Sequence, residues 1–385
     1  MRAGTSKGLY LHRHDLPTRQ EDWSPIIARA MGSYDSDPRQ LNGIGGATST
    51  TSKVAIISRS KRPDADIDYT FVQVPIGSSK LDFTGNCGNI ASGVGPFAVD
   101  EGLVDIPEGQ RQVQVRVFNT NTKSILVETL EVDDSGHFLE AGDCTIPGLS
   151  SKGSRVSMAF EKPAGAMTGK LLPSGNASDI LLVQTTLTSA PLPVRVSAVD
   201  AANPFLLVDS STLLPSYHED GPHSQRSLAL IERIRRQGAI LMGLAKTEDE
   251  AALTRGTPKI AVLSPALPAH GTSEGRIQVT AFSMGKVHGS LQLTGAVCLG
   301  AAACTPGTVA HSIRHGLDRT SDVSVLKRTD SGQGEAFGST QCVPLRHPGG
   351  DMDVDVRLSL DGSVHDVTVF RTARRLFEGR VYYLM

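Results

Sequence analysis

The stretch Leu81-Asp-Phe-Thr-Gly-Asn-Cys-Gly-Asn-Ile-Ala-Ser-Gly-Val-Gly-Pro96 recurs in altered form as Leu291-Gln-Leu-Thr-Gly-Ala-Val-Cys-Leu-Gly-Ala-Ala-Ala-Cys-Thr-Pro306. The two stretches align without a gap, at a constant offset of 210 residues (291 − 81 = 210). In each copy a Thr-Gly pair precedes a run of small and apolar residues, which predicts a loop that opens into a buried helix. The chain is therefore predicted to be a duplication of two similar halves, each built around one such helix.

The two copies differ at a position that matters for chemistry. The first carries Cys87 inside Asn86-Cys-Gly-Asn89, and the aligned residue of the second copy is Val297. A helix N-terminus offers unpaired backbone N–H groups and a positive potential, which suit a carboxylate and favour the thiolate form of a neighbouring cysteine. We therefore interpret Cys87 as a catalytic thiol, with a small core cysteine as the alternative interpretation. The other four cysteines are predicted to be structural: Cys144, Cys298, Cys304 and Cys342.

The rest of the chain is rich in short β-branched segments with few helices. Several segments alternate apolar and polar residues, which is typical of half-buried antiparallel strands. One amphipathic helix is predicted over about 227–244. The fold class predicted from this pattern is α+β, with a sheet that wraps each central helix. The predicted strands are Val54–Ser58, Ile67–Val74, Val113–Phe118, Val194–Val199, Lys259–Leu263, Ile277–Phe282 and Met352–Leu358.

A length of 385 residues favours two domains, in agreement with the duplication. The segment 185–193 lies near the midpoint and lacks a periodic pattern, so we predict the domain boundary there. The first domain is expected over 1–188, carrying Lys53 and Cys87, and the second over 189–371. The C-terminal strand, 372–385, is expected to pack with the first domain.

Composition excludes several classes of protein. The chain has 38 Lys+Arg against 40 Asp+Glu and no basic run, so nucleic acid is not an expected partner. No apolar run approaches the roughly 18 to 20 residues of a membrane span, and the start lacks a signal-peptide core, so we expect no membrane partner and a cytoplasmic location. Five widely spaced cysteines without a Cys-x-x-Cys pair indicate neither a disulfide framework nor a metal site.

A glycine-rich and hydroxyl-rich loop ends at a lysine, in Asn42-Gly-Ile-Gly-Gly-Ala-Thr-Ser-Thr-Thr-Ser-Lys53. A phosphate loop would need Gly-Lys followed by Ser or Thr, and a dinucleotide loop would need Gly-x-Gly-x-x-Gly before a helix, whereas here a strand follows. We therefore expect no nucleotide or other cofactor. The loop is suited to carboxylates, and Lys53 is predicted to be either a charge anchor or, if desolvated, an acid–base group. An ordinary surface lysine is the alternative.

Two further polar segments could contact a carboxylate-rich ligand. Met1-Arg-Ala-Gly-Thr-Ser-Lys-Gly8 provides Arg2, Thr5 and Ser6, and Ser283-Met-Gly-Lys-Val-His288 provides Lys286 and His288. For any one of these side chains, a solvated surface position is an equally good interpretation of the sequence.

Taken together, these motifs resemble the PrpF family, which is named for 2-methylaconitate cis-trans isomerase. The resemblance spans almost the whole chain. Members usually have a short strand before the first motif, whereas this chain begins at Met1 directly on it. The matching motifs, in order, are Arg2–Gly8, Gly43–Lys53, Asp66–Val74, Asn86–Asn89, Gly169-Lys-Leu-Leu-Pro173, Asp200-Ala-Ala-Asn-Pro204, Ser283–His288 and Arg371-Thr-Ala-Arg374.

The resemblance implies the fold of diaminopimelate epimerase: two pseudo-symmetric domains, each a mostly antiparallel sheet curled round a central helix, with the active site in the cleft. It implies Lys53 and Cys87 as catalytic residues acting from opposite sides of the substrate, without a cofactor or a metal. The residues expected to bind substrate are Arg2, Thr5, Ser6, Thr48, Ser49, Ser52, Asn86, Gly88, Asn89, Ser283, Met284, Gly285, Lys286, His288, Thr294 and Gly295.

The expected activity is isomerisation of a small unsaturated tricarboxylic acid, such as aconitate or 2-methylaconitate. Methylitaconate or 4-oxalomesaconate isomerisation is an alternative, because the outcomes differ only in where the proton returns. An amino-acid epimerase or racemase is disfavoured by Val297, which removes the second thiol. A non-catalytic carboxylate-binding protein stays open as another class. The expected partner is the small-molecule tricarboxylate, and a homodimer is left open.

Overall fold

A computed structural model describes residues 1–83, 86–185, 188–266, 275–316 and 338–383. The chain divides into two compact units. The first unit comprises Met1–Glu161 with Phe370–Met385, and the second comprises Lys162–Val369.

The first unit has a sheet in the order β3-β4-β5-β6-β7-β8 and a small sheet in the order β18-β1-β2. Within the larger sheet β3 is parallel to β4 and β5 is parallel to β6, and the remaining pairs are antiparallel. The helices are α1 (Trp23–Met31), α2 (Gly88–Ala91) and α3 (Val94–Asp100). The strands are β1 (Arg2–Ala3), β2 (Ser6–Lys7), β3 (Leu9–His12), β4 (Lys53–Arg59), β5 (Ile67–Gln73), β6 (Gln112–Asn119), β7 (Ser124–Glu131), β8 (Val156–Glu161) and β18 (Ala373–Arg374).

The second unit has its strands in the order β17-β16-β15-β13-β12-β11-β10-β9, with β14 paired to β13. The strands are β9 (Asp179–Val183), β10 (Leu192–Asp200), β11 (Pro204–Asp209), β12 (Lys259–Ala266), β13 (Arg276–Ser283), β14 (Lys286–Val287), β15 (Ser339–His347), β16 (Gly350–Leu358) and β17 (Val364–Arg371). The helices are α4 (Pro215–Asp220), α5 (Gln225–Leu241), α6 (Glu248–Leu253), α7 (Leu293–Ala303) and α8 (Val309–His315).

The two units share one topology. From β11 to β17 the successive pairs are parallel, antiparallel, parallel, antiparallel and antiparallel, which is the sequence seen from β3 to β8. Each unit places a helix between its parallel-paired strands: α2 and α3 follow β5, and α7 follows β13. The α+β fold, with a mostly antiparallel sheet packed around a central helix in each half, is confirmed.

The central helices differ between the units. All eleven residues of α7 are buried, and α7 contacts β10, β11, β15 and β16. In the first unit the same role is divided between α2 and α3, with a break at Ser92 and Gly93, instead of the single predicted helix. Glycines at 93 and 95 allow other side chains to approach this break closely.

The predicted strands are all present: β5 is one residue shorter than predicted, and the other six are one to several residues longer. The alternation in Val113–Phe118 is confirmed by the burial of β6, where exposed or half-buried residues alternate with buried ones. The amphipathic helix is present as α5, capped by the Ser224 hydroxyl, which accepts from the Ser227 N–H. Arg235 in this helix is buried and donates to the Glu232 carboxylate and to the carbonyl oxygen of Ala251.

The observed units differ from the predicted domain limits at 188 and 371. The second unit begins at Lys162 because β9 pairs with β10 and so joins the second sheet. Within the proposed linker, Leu192 and Pro193 already belong to β10, and residues 186 and 187 lie outside the described part of the chain. The chain returns to the first unit at Phe370.

Candidate active site

Lys53 opens β4, and its side chain is buried, with 8% exposure. Its ammonium donates to the Gln73 side-chain oxygen at 2.6 Å and lies 5.2 Å from the centre of the Phe71 ring. Gln73 is held in this orientation because its amide nitrogen donates to the carbonyl oxygens of Ser52 and Ser49. Both contacts of the ammonium are therefore to neutral groups.

Cys87 is half-buried and stands at the N-cap position of α2, in an extended conformation. Its carbonyl oxygen accepts from the Ala91 N–H at 2.9 Å, which closes the single turn of the helix. Helix α2 packs against β4 and β5, the strands that carry Lys53 and Gln73. The first unit thus holds both predicted catalytic side chains on neighbouring elements.

Polar residues lie near Cys87 in the chain, and the Asn89 side chain forms two hydrogen bonds. Asn89 donates from its amide nitrogen to the Thr5 hydroxyl at 3.0 Å and accepts from Arg371 Nε at 2.9 Å. Gly4 has a φ of +53°, and a Cβ there would lie 2.3 Å from the Asn89 side-chain oxygen, so only glycine fits. The Asn86 side-chain oxygen is buried and has no hydrogen-bond partner among the described residues.

Arg371, Arg2 and Lys53 are cations of the first unit that are wholly or partly buried, and none of these three forms a hydrogen bond with a carboxylate of the described residues. Arg371 is 6% exposed and binds Asn89 and the Phe370 carbonyl oxygen, and burial lowers its pKa to about 10. Arg2 donates to the carbonyl and hydroxyl oxygens of Thr372, and burial also lowers its pKa. Lys53 is the third. Buried cations are usually paired with anions, so this region favours an anionic ligand.

The hydroxyl-rich loop has two kinds of side chain. Thr48 and Ser49 are exposed, and the Thr48 hydroxyl contacts Thr51 and Thr50. Ser52 is buried and donates to the Gln40 side-chain oxygen at 2.6 Å, so this hydroxyl holds the loop to the preceding chain. Ser6 is buried and Gly88 begins α2.

The second unit carries the remaining predicted ligands. Met284 and Gly285, with φ values of +53° and +78°, form a two-residue hairpin turn between Ser283 and Lys286. Met284 and Lys286 are exposed. The His288 ring nitrogen Nδ1 lies 2.7 Å from the Ser290 carbonyl oxygen, which orients the imidazole.

Thr294 and Gly295 lie in the first turn of α7 and are buried. A Cβ at Gly295 would come within 2.8 Å of the Phe205 ring, so close packing explains this glycine. Their counterparts in the first copy, Thr84 and Gly85, lie outside the described residues. The substrate-binding role of all these residues stays a prediction.

Three residues of this region were not selected from the sequence: Gln73, Asn121 and Arg371. Asn121 binds the backbone of Phe71 and the carbonyl oxygen of Phe83, and so ties β5 to the chain entering the Cys87 turn. Gln73 lies within the motif Asp66–Val74, and Arg371 begins the motif Arg371–Arg374, so motif membership was the available signal for both residues. No group of three His, Cys, Asp or Glu side chains in the described chain could hold a metal ion. None of its helices is long and apolar enough to cross a membrane.

Known proteins similar to this chain cover nearly its whole length. The family model described as PrpF protein matches residues 1–384. The 3-methylitaconate isomerase of Eubacterium barkeri is 37% identical over 394 residues, covering 99% of this chain and 95% of the relative. The 2-methyl-aconitate isomerase of Cupriavidus necator is 33% identical over 404 residues, with 99% and 95% covered. A crystal structure of methylitaconate-delta-isomerase matches with a TM-score of 0.77 and 35% identity, covering 99% of this chain and 94% of that one.

Proposed function

This chain belongs to the PrpF family and is an isomerase, and from this premise we propose that its substrate is a small unsaturated tricarboxylic acid. The reaction would move an allylic proton without a cofactor, giving cis-trans isomerisation or migration of the double bond. Aconitate and 2-methylaconitate are the substrates we favour.

The observation that carries the proposal is the set of cations in the first unit that lack a carboxylate contact. Lys53 binds Gln73, Arg371 binds Asn89, and Arg2 binds Thr372. Desolvated charges of this kind are unfavourable unless an anion joins them. A ligand with several carboxylates would supply those anions, and its binding would recover part of the free energy lost on burying the cations.

Lys53 and Cys87 are the proposed proton-transfer groups. One of them removes the allylic proton, and the resulting dienolate spreads its charge onto a carboxylate of the substrate. The first-turn amides of α2 and the Thr48 and Ser49 hydroxyls are proposed as donors to that oxyanion, each preorganised donor being worth about 3 kcal/mol.

Rotation or migration follows from the same intermediate. While the former double bond has single-bond character, it can rotate, and protonation at the original carbon gives the geometric isomer. Protonation at the other end of the allylic system moves the double bond instead. The substrate's shape and the position of the returning proton decide between these products.

The deciding experiment follows each candidate acid by proton NMR in D2O with the purified protein. The candidates are cis-aconitate, trans-aconitate, 2-methylaconitate, methylitaconate and 4-oxalomesaconate, each incubated separately. We expect conversion of one tricarboxylate, with deuterium at the allylic carbon. Binding of a carboxylate without conversion or exchange of any candidate would favour a non-catalytic binding protein and contradict the proposal.

Cys87→Ser is the matched test of the mechanism in the same assay. A hydroxyl ionises far less readily than a thiol but is nearly the same size, so turnover should fall by more than tenfold while the fold persists. Cys144→Ser serves as the control, because Cys144 is also half-buried and has no proposed role. Equal losses in the two variants would remove Cys87 from the mechanism.

A further inference from the structure

A fully buried carboxyl lies beneath the break between α2 and α3. Glu128, in β7, is 0% exposed, and one carboxyl oxygen accepts from the Gly95 N–H at 3.0 Å. The other oxygen has no hydrogen-bond partner among the described residues. Burial raises the pKa of Glu128 to about 8, so the side chain is largely uncharged at neutral pH.

Two buried phenols connect this carboxyl with the thiol. Tyr10 in β3 and Tyr69 in β5 are both buried, and each has its pKa raised by burial and further raised by the negative charge of Cys87 and of Glu128. The Tyr10 hydroxyl donates to the Ile90 carbonyl oxygen at 2.5 Å, and the Tyr69 hydroxyl has no partner among the described residues. The thiol and the carboxyl thus share two neighbours.

These side chains hold both sides of the helix break. Tyr10 satisfies a carbonyl of α2, the helix capped by Cys87, and Glu128 satisfies a first-turn N–H of α3. A Cβ at Gly93 would lie 2.5 Å from the Tyr10 hydroxyl, and one at Gly95 would lie 2.7 Å from the Glu128 carboxyl. The two glycines therefore admit these two polar groups.

The second unit shows what the same fold uses in place of Glu128. Ile67 and Ile277 are equivalent at the 210-residue offset, and they pair with Val117 of β6 and Leu345 of β15. Val117 pairs in turn with Leu126, and Leu345 with Met352. Two residues further along the strands lie Glu128 in β7 and Val354 in β16.

Tyr10, Tyr69 and Glu128, which are buried, and Cys87, which is half-buried, all have fully buried aliphatic counterparts in the second unit. The strand registers and the sequence repeat give the pairs Tyr10 and Leu207, Tyr69 and Val279, Cys87 and Val297, and Glu128 and Val354. An aliphatic core at these positions would avoid the unpaired carboxyl and phenol oxygens, which are unfavourable when buried. The unit that has the thiol is the one that has the buried acid and phenols.

We propose that Glu128 is a positioning residue for Cys87: it anchors the start of α3, directly after the α2 turn that carries the thiol, and so controls how readily that thiol ionises. The inference rests on the proposed catalytic role of Cys87. Glu128 acts through its hydrogen bond to Gly95 and through its charge state. Uncharged, it leaves thiolate formation unopposed; ionised, it places a second negative charge in the same low-dielectric interior.

The titratable and charged groups around Glu128 determine how its ionisation affects the Cys87 thiol. Tyr10 from β3 and Tyr69 from β5 both feel Glu128, and Arg2 from β1 acts on Tyr10. The cross-strand neighbours of Glu128 are Val115 and Met158, which carry no charge. As the pH rises through about 8, Glu128 ionises, and the gain in thiolate with pH should become shallower.

The test measures the alkylation rate of Cys87 by iodoacetamide from pH 6 to 10, with peptide mass spectrometry to separate Cys87 from Cys144 and Cys342. Glu128→Gln keeps an acceptor for Gly95 and removes the ionisation. We expect it to match the wild type within about threefold at pH 7 and to exceed it by threefold or more at pH 9. Glu128→Val, which copies the second unit, should slow alkylation at pH 7 by tenfold or more.

Kinetics with the accepted substrate provide the second measurement. Glu128→Val should lower kcat by tenfold or more with KM within threefold, and Glu128→Gln should restore kcat. A wild-type alkylation profile in both variants would overturn the proposal, as would the same bend near pH 8 in Glu128→Gln. If Glu128→Val does not fold, the Glu128→Gln profile alone decides. Alkylation needs no substrate, so failure of the proposed function would show separately, as absence of turnover in the wild type.

Discussion

Lys53 illustrates how a single residue gains a chemical role from its position. Lys259 opens β12 as Lys53 opens β4, and the strand register places Gln73 opposite Lys53. Lys259 is half-buried, whereas Lys53 is buried with neutral contacts. Lys53 could be selected from the sequence because a distinctive loop precedes it. Arg371 could be recognised only as part of a motif, and its contact with Asn89 could not be predicted, because the two residues are 282 positions apart in the chain.

Lys53→Arg should separate proton transfer from charge. The guanidinium keeps the positive charge but does not release its proton near neutral pH, so kcat should fall by about 100-fold or more with KM within about tenfold. Lys259→Arg, at the equivalent strand position, is the control and should stay near the wild type. Steady-state kinetics of both variants decide the point, and a kcat within a few fold for Lys53→Arg would reduce Lys53 to an electrostatic anchor.

Arg371→Met should weaken substrate binding more than it slows the chemical step. The partner of Arg371 is the neutral Asn89, so the variant leaves no buried carboxylate unpaired and should fold. We expect KM to rise by about tenfold or more, with a smaller change in kcat. Arg374→Met provides the control, since Arg374 is exposed. Unchanged KM in Arg371→Met would show that this cation does not meet the substrate.

At the scale of elements, the sequence predicted seven strands but missed others such as β8, although buried and half-buried residues alternate along it. The strands that it predicted are β4, β5, β6, β10, β12, β13 and β16. It did not predict β11, in which all six residues are buried and no alternation remains. It predicted the helix of the second copy, α7, but not the division of the first copy into α2 and α3. That division depends on Tyr10 and Glu128, which approach from distant strands, so no local pattern in residues 81–96 could reveal it.

Gly95→Ala tests the packing at this break. The added Cβ would lie 2.7 Å from the Glu128 carboxyl and 2.8 Å from Leu130, with little room for either to move. The free energy of unfolding should fall by about 1 to 3 kcal/mol, as in overpacked cores. Gly289→Ala is the control, because nothing lies within 4 Å of its added Cβ. Urea denaturation measures the free energy of unfolding of both variants. Equal values would show that the break between α2 and α3 can accommodate an added methyl group.

At the scale of the whole molecule, the repeat at a 210-residue offset predicted the duplication and the shared topology. The limits of the units were harder to predict, because the placement of β9 depends on its pairing with β10 rather than on its own composition. The sequence also could not predict which single polar groups are buried, although their burial affects the free energy of unfolding.

Glu128 makes the stability of the fold depend on pH. Its pKa is raised from 4.5 to about 8 in the folded chain, so the native state binds an extra proton between those values. The free energy of unfolding should therefore fall as the pH rises from about 4.5 to about 8. Glu128→Gln should reduce this fall by more than about 1.4 kcal/mol, the equivalent of one pKa unit. Urea titrations at pH 5 and pH 8 measure the free energy of unfolding of the wild type and of Glu128→Gln. The same pH dependence in both proteins would contradict this role of Glu128.

The return of the chain to its first unit at Phe370 has a consequence for biosynthesis. A ribosome has released Lys162–Val369, the whole continuous second unit, before Arg371 can meet Asn89. Domains fold as units during translation, so the second unit, which lacks Cys87, should complete its folding first, although most of it is encoded after the first unit. The half that carries Lys53 and Cys87 cannot be completed until the chain from Phe370 onward has been synthesised. Nascent chains that have not reached Arg371 would therefore stay inactive.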